Sequence, residues 1–368
     1  MARDGLITSV ACEVYEIPTD RPEADGTLAW SATTMVLVTI RAGGSEGLGW
    51  TYAGAGCKAV VEDQLTGVLH GGDPMDIPGL WGGMVRACRN LGRPGLVSCA
   101  LSAVDIALWD LKARLLGVAL STLVGRCRDT VPVYGSGGFT TYDDTTTRAQ
   151  LTHWVHELGI PRVKIKIGES WGGEERRDLA RVTLARETVG AGVEVYVDAN
   201  GGYTRKQAVR VGRALSDAGV IWFEEPVSSD DLAGLREVRD LCDADVTAGE
   251  YGYDLAYFAR MVAAQAVDCL QVDVTRCGGV TEFLRAAAVA AAHNVAVSGH
   301  CAPTLHAHVA AGVPNLRHLE YFHDHARIED LLFDGALSPR GGALRPDPDR
   351  PGHGLSLRSS DAEQFRAA

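Results

Sequence analysis

The chain of 368 residues contains no Cys-x-x-Cys pair. Its nine cysteines are odd in number and scattered at 12, 57, 88, 99, 127, 242, 269, 277 and 301, which argues against a thiolate metal site and suggests no disulfide framework. Nowhere do about 18 apolar residues run together, so no helical membrane span is expected. The opening Met1-Ala2-Arg3-Asp4-Gly5 has no apolar stretch of the kind that secretory signals carry, and the cytoplasm is the expected compartment. Positive charge is in short supply: 35 Lys and Arg against 47 Asp and Glu give a formal net charge of −12. A nucleic acid or an anionic membrane surface would be repelled by that balance. No Gly-x-Gly-x-x-Gly leads from a strand into a helix, which removes the main sign of a dinucleotide-binding sheet. What remains, 46% hydrophobic and 22% charged residues, is the mixture of a folded globular chain with ample length for a core.

Two patterns follow one another along the chain. Alternating apolar and polar runs at 6–17, 33–42 and 48–54 predict strands, and the polar stretch 19–30 between the first two predicts a loop too long for a tight turn. Apolar positions through 98–116 share one helical face. These elements predict a small α+β unit. From about residue 130 short apolar runs recur every 20 to 32 residues or so, at 131–134, 162–168, 194–200, 221–226, 245–250, 269–275, 295–300 and 317–322, each followed by a helical stretch. Eight near-continuous apolar strands alternating with helices predict a parallel α/β barrel rather than an open sheet. We therefore expect an α+β cap over 1–125, a barrel over 126–330, and a Gly- and Pro-rich segment, 331–368, returning to the cap.

The ends of the predicted strands carry the chemistry. Asp198, Glu224 and Glu250 each close one strand and lie 26 residues apart twice over, one βα repeat per step. Such a period sets three carboxylates side by side at the carboxyl mouth of a barrel, where barrel active sites lie. Adjacent carboxylates repel unless a cation sits among them, and hard oxygen donors suit Mg²⁺, with Mn²⁺ as a substitute. Helix capping is the bland explanation for any one of these acids, and three in register outweigh it. On the second strand Lys164 and Lys166 point to one face; two amines near a divalent ion lower each other's pKa and free one as a base. Asp273 and His300 end adjacent strands, where a carboxylate would orient the imidazole. Glu320, near the end of the last strand, is placed to donate to a developing enolate oxygen. Together these parts imply removal of the proton α to a metal-chelated carboxylate from either face.

Lys164-x-Lys166, Asp198-x-Asn200, Glu224-Glu225-Pro226, Gly249-Glu250, Asp273 with His300, and Glu320 resemble the mandelate racemase subgroup of the enolase superfamily. The resemblance spans essentially the whole chain. It implies a modified (β/α)₈ barrel of the (β/α)₇β type beneath an N-terminal capping domain, and one Mg²⁺ held by Asp198, Glu224 and Glu250. It further implies acid/base roles for Lys166 and for His300 with Asp273, and a hydrogen bond from Glu320 to the substrate carboxylate. Most subgroup members with both bases dehydrate acid sugars to 2-keto-3-deoxy acids; racemisation or epimerisation of a 2-hydroxy acid by the same pair is the alternative. A homo-oligomer and a small carboxylate substrate are implied as well. Cap segments set specificity in this family, here 19–30 and 52–58, and Asp20, Arg21, Glu23 and Asp25 make the first polar enough for a hydroxylated ligand. Asn200, Tyr134, Arg276, Trp30 and His323 are the expected substrate contacts, with Ser136 and Tyr321 as further wall residues. Tyr251, Tyr253 and Tyr257 follow Glu250 at helical spacing and are expected in the core.

Overall fold

A computed structural model describes residues 5–367. Its first sheet is an antiparallel meander of β1 (Ile7–Ala24), β2 (Ala29–Ala42) and β3 (Ser45–Tyr52). The stretch 19–30 is not the loop expected. It is the far end of the β1–β2 hairpin, resumed after a break in the ladder between Pro18 and Glu23, with Ala24 opposite Ala29. Pro18 and Pro22 interrupt the alternation that would have marked it as strand. Only Asp25–Leu28 turn, held by Asp25 Oδ1, which accepts from the Thr27 and Leu28 amides at 2.6 and 2.7 Å.

Behind this sheet lies the helix Leu96–Leu115. Gly47 and Gly49 of β3 let the two backbones touch: a Cβ on either would stand 2.3 Å from the Ala107 carbonyl oxygen or 2.2 Å from that of Ala103. The contact closes an apolar cluster in which Val36, Val38 and Ile40 meet Ala100, Val104 and Leu108.

The second sheet closes on itself. β4 (Val131–Gly137), β5 (Arg162–Lys166), β6 (Glu194–Asp198), β7 (Val220–Glu224), β8 (Asp245–Ala248), β9 (Cys269–Val272), β10 (Ala296–Gly299) and β11 (Leu316–Phe322) pair in sequence order, all parallel. β11 then pairs with β4, Leu319 opposite Val133. Helices fill all seven connections, so the barrel is of the expected (β/α)₇β form. Several strands stop short of their expected ends, β5 at Lys166 and β8 at Ala248. The chain there leaves the ladder for tight turns in which Asn200, Glu225, Gly249 and Cys301 take positive φ. The barrel floor is plugged by Tyr134, Tyr196 and Trp222.

The last forty residues run back across both bodies. β12 (Phe333–Asp334) pairs with β14 (Ser356–Leu357), and β13 (Ala343–Leu344) lies antiparallel to the start of β4. Trp50 of β3 stacks on Phe333 and meets the His353 ring edge-on. Asp110 of the helix Leu96–Leu115 accepts from the amides of Leu48 and His353, each at 2.8 Å. No helix among the described residues is long and apolar enough to cross a membrane.

Candidate active site

Strand register sets the site. Lys166 is opposite Asp198 between β5 and β6, and Asp198 is opposite Glu224 between β6 and β7, so three charged residues stand abreast on neighbouring strands. Lys164, two positions back, points to the same interior face. Glu250 lies two residues beyond β8 and is swung inward by Gly249, whose φ of +136° belongs to glycine alone. Asp273 and His300 follow β9 and β10 directly, and Glu320 lies within β11. All eight residues are buried.

The contacts form one connected network. Lys164 Nζ donates to both Glu224 oxygens at 2.7 and 2.6 Å and lies 2.8 Å from Glu320 Oε1. Lys166 Nζ donates to Asp198 Oδ2 at 2.5 Å. His300 Nδ1 donates to Asp273 Oδ2 at 2.7 Å, and the Thr275 amide and hydroxyl fix the other Asp273 oxygen at 2.6 and 2.7 Å. That bond leaves His300 Nε2 facing Glu250 Oε2 at 3.2 Å.

Electrostatics departs from expectation at two places. Burial works to discharge the lysines, yet Glu224 and Glu320 hold Lys164 well above the usual amine range, and Asp198 does the same for Lys166. Lys164 does push Lys166 down, as mutual repulsion requires, but the carboxylates outweigh it. At Glu320, expected to donate to substrate, the protein groups around the carboxyl donate to it. It accepts from the Ser136 hydroxyl at 2.5 Å and the Cys301 amide at 3.1 Å. Against the pull of burial, Lys164, His300 and Lys166 hold its carboxyl well below the ordinary range; an ionised carboxylate accepts only. His300 is lifted, against burial, by the Cys301 sulfur, by Glu250 and Glu320, and by the Asp273 bond.

Asp198, Glu224 and Glu250 bring one oxygen each to within 4.8 Å of one another. Burial and then the neighbouring Asp198 raise Glu224, to about 8. Glu250 Oε2 faces only the His300 ring. Three hard oxygen donors fit Mg²⁺ and have no soft atom to favour another metal.

A cavity of about 310 Å³ opens onto the network, lined by Lys166, Glu250, His300 and Glu320 from the barrel. Of the expected substrate contacts, Asn200, Arg276 and Trp30 line it. Tyr134 does not: it is wholly buried in the barrel floor, with the Lys164 ammonium 5.2 Å above its ring. His323 is also elsewhere, 3.3 Å from Asp20 in a pair outside the cavity. Ser136 holds Glu320 from below, and Tyr321 packs against the main core. Tyr251 is 41% exposed and lines the cavity, contrary to its expected burial. It sits in the turn before the helix Leu255–Ala263, so helical spacing does not apply to it.

Sequence reasoning missed His325 and Cys301, which face the cavity; Asp25 and Tyr52, from the two cap segments expected to set specificity, face it too. His325 was in reach. β11 ends at Phe322 and a helix starts at His323, so the period changes there from 2 to 3.6 and the inward residue is the one after next.

Fold and site together define a class: a capped α/β barrel with a carboxylate and base cluster at its carboxyl mouth. Residues 11–125 match the mandelate racemase / muconate lactonizing enzyme N-terminal domain, and 146–362 match the enolase C-terminal domain-like family. The chain belongs to the mandelate racemase/muconate lactonizing enzyme family of the enolase superfamily. It is similar to L-talarate/galactarate dehydratase of Salmonella typhimurium, 33% identical over 85% of this chain and 78% of that one. That enzyme's solved structure with Mg and L-lyxarohydroxamate superposes at a TM-score of 0.91, with 29% identity over 100% of this chain and 94% of the other. It is likewise similar to 3,6-anhydro-alpha-L-galactonate cycloisomerase of Streptomyces coelicolor, 32% identical over 96% of this chain and 97% of that one. A mandelate racemase/muconate lactonizing enzyme-like protein from Rubrobacter xylanophilus is 50% identical with a TM-score of 0.95, over 98% and 100% of the two chains. Magnesium is the cofactor of this superfamily.

Proposed function

We propose that this chain is a Mg²⁺-dependent hydro-lyase acting on a sugar acid, an aldonate or aldarate, and releasing a 2-keto-3-deoxy acid. The observation that carries the reading is that Lys166 and His300, bases from strands well apart around the barrel, line one cavity with Glu250. A dehydratase relative supports it, as do the polar groups Asp25, Thr33, Thr34 and Tyr52 that the cap adds to the cavity.

In this reading Asp198, Glu224 and Glu250 hold one ion, which supplies a Lewis acid for negative charge developing on the substrate carboxyl. The negative charge that otherwise holds Lys166 and His300 protonated would be offset by a cation shared by those carboxylates; one of the two, according to the C2 configuration, then takes the α-proton. The other gives a proton to the β-hydroxyl, which leaves as water, and the resulting enol becomes the 2-keto group. Asp273 keeps the His300 proton on Nδ1 and its Nε2 in the cavity. Lys164 braces Glu224 and Glu320 beneath the reacting carbons. Asn200, Arg276 and Trp30 contact substrate. The described residues of 1–125 and 331–368 form the cap and 126–330 the catalytic barrel, in a homo-oligomer. The Streptomyces relative favours a second reading in which the leaving oxygen belongs to a ring within the substrate, so that the same two bases carry out a cycloisomerisation.

Proton NMR in D₂O with Mg²⁺, on pooled aldonic, aldaric and aryl 2-hydroxy acids, tests this. A 2-keto-3-deoxy product is expected. Deuterium exchange at the α-carbon without that product would replace dehydration by racemisation or epimerisation, and a pool left unchanged would sink the sugar-acid reading.

A further inference from the structure

The two ends of the cavity differ in charge. Lys166, Arg276 and His300 are the cationic side chains of its lining, and each already faces carboxylates of the network. Lys166 has Asp198; Arg276 lies 3.5 Å from Glu250 and 3.6 Å from Asp273; His300 has Asp273. One substrate carboxylate finds its place at that end. The cap wall is built differently. Trp30 and Tyr52 give it aromatic faces, and the one charged group the cap brings to the lining is an anion, Asp25. Behind that wall His323 faces Asp20 and Arg327 donates to Asp324.

Between these ends stands His325. Its ring stacks on Tyr52, centroids 3.6 Å apart, and meets Phe322 edge-on at 5.1 Å. Cys301 and Ala302 both hold positive φ, and the Ala302 amide donates to His325 Nδ1 at 3.3 Å. A nitrogen that accepts an N–H carries no proton, so the imidazole proton is on Nε2. Burial holds the ring neutral, its pKa pushed down to about 3. His325 is thus a fixed, uncharged donor, suited to a hydroxyl or ether oxygen. A second carboxylate at the cap wall would be desolvated with no counter-charge from the cap, and the cations of the lining are already paired with carboxylates.

On the basis of the sugar-acid reading above, we infer that the substrate carries a single carboxylate, and that His325 Nε2–H donates to an uncharged oxygen on its distal part. Aldonates or their cyclic ethers fit; aldarates do not.

Calorimetry on Mg²⁺-loaded Lys166→Ala protein, with aldonate and aldarate pairs of matched configuration, reads this without turnover. At least one aldonate is expected to bind tenfold or more tighter than its aldarate. Equal or tighter binding of the diacid in every pair overturns the inference, and binding of neither acid overturns it together with the sugar-acid reading. Aldonate preference without any 2-keto-3-deoxy product from the wild type would overturn dehydration alone. His325→Phe keeps the stacked ring and deletes the donor; it is expected to weaken aldonate binding about tenfold, and His325→Gln to recover most of that. Unchanged binding in His325→Phe overturns the donor role.

Discussion

Lys166 and His300 each owe their position to a carboxylate partner, Asp198 and Asp273 respectively. Proton transfer by a placed base contributes about 10²- to 10⁴-fold. Lys166→Ala and His300→Asn are therefore each expected to lower kcat by that order, with far-ultraviolet circular dichroism and Mg²⁺ affinity little changed; full activity in either would remove that residue from the mechanism. At this scale the sequence is informative wherever the backbone repeat fixes a position. The 26-residue step between Asp198, Glu224 and Glu250 follows from one βα unit. Glu320 is a different case. Its place was legible, but its charge depends on Lys164, His300 and Lys166, which the fold brings in from two other parts of the barrel. Tyr134 failed similarly: its position on β4 says nothing of depth, and it lies a full layer below the site.

Among the elements, the turns after the barrel strands decide what reaches the mouth. Gly249 is the clearest case. A Cβ there would stand 2.1 Å from the Gln271 carbonyl oxygen, at a φ no side chain tolerates well. Gly249→Ala is expected to cost about 1–3 kcal/mol of stability and to weaken Mg²⁺ binding by displacing Glu250, read by denaturant unfolding and calorimetry. Wild-type Mg²⁺ affinity in that variant would contradict the role given to the turn. The barrel strands were legible because both their faces are covered, which makes each a continuous apolar run. The hairpin over 19–30 was not. Its strands carry prolines and charges because they project past the sheet's core, and only pairing of Glu23 with Trp30 shows that they continue.

Across the whole molecule, the buried acids of the seam between sheet, barrel and tail make stability depend on pH. Glu329, on the helix His323–Leu332, accepts from the Thr304 amide at 3.0 Å, and its other oxygen has no partner. Burial raises it from 4.5 to about 8. Between those values the folded chain keeps a proton that the unfolded chain has released, so stability is greatest below the lower value and falls as pH rises through the higher. Relative to wild type, Glu329→Gln is expected to remove a contribution that falls between about pH 5 and pH 8, so the difference in melting temperature between the two proteins should change with pH over that range; a constant difference would take Glu329 out of the pH dependence.

The crossing of the tail over the first sheet gives synthesis an order. Asp110 and the His353 amide it binds are 243 residues apart. A ribosome adding about 5–20 residues per second exposes the acid roughly 12–50 s before its partner exists. For that interval Trp50 lacks both Phe333 and His353, and the first sheet emerges with one edge unfinished. The earliest part of this chain to be made is among the last to be completed, and a nascent-chain chaperone would meet it in that unfinished state.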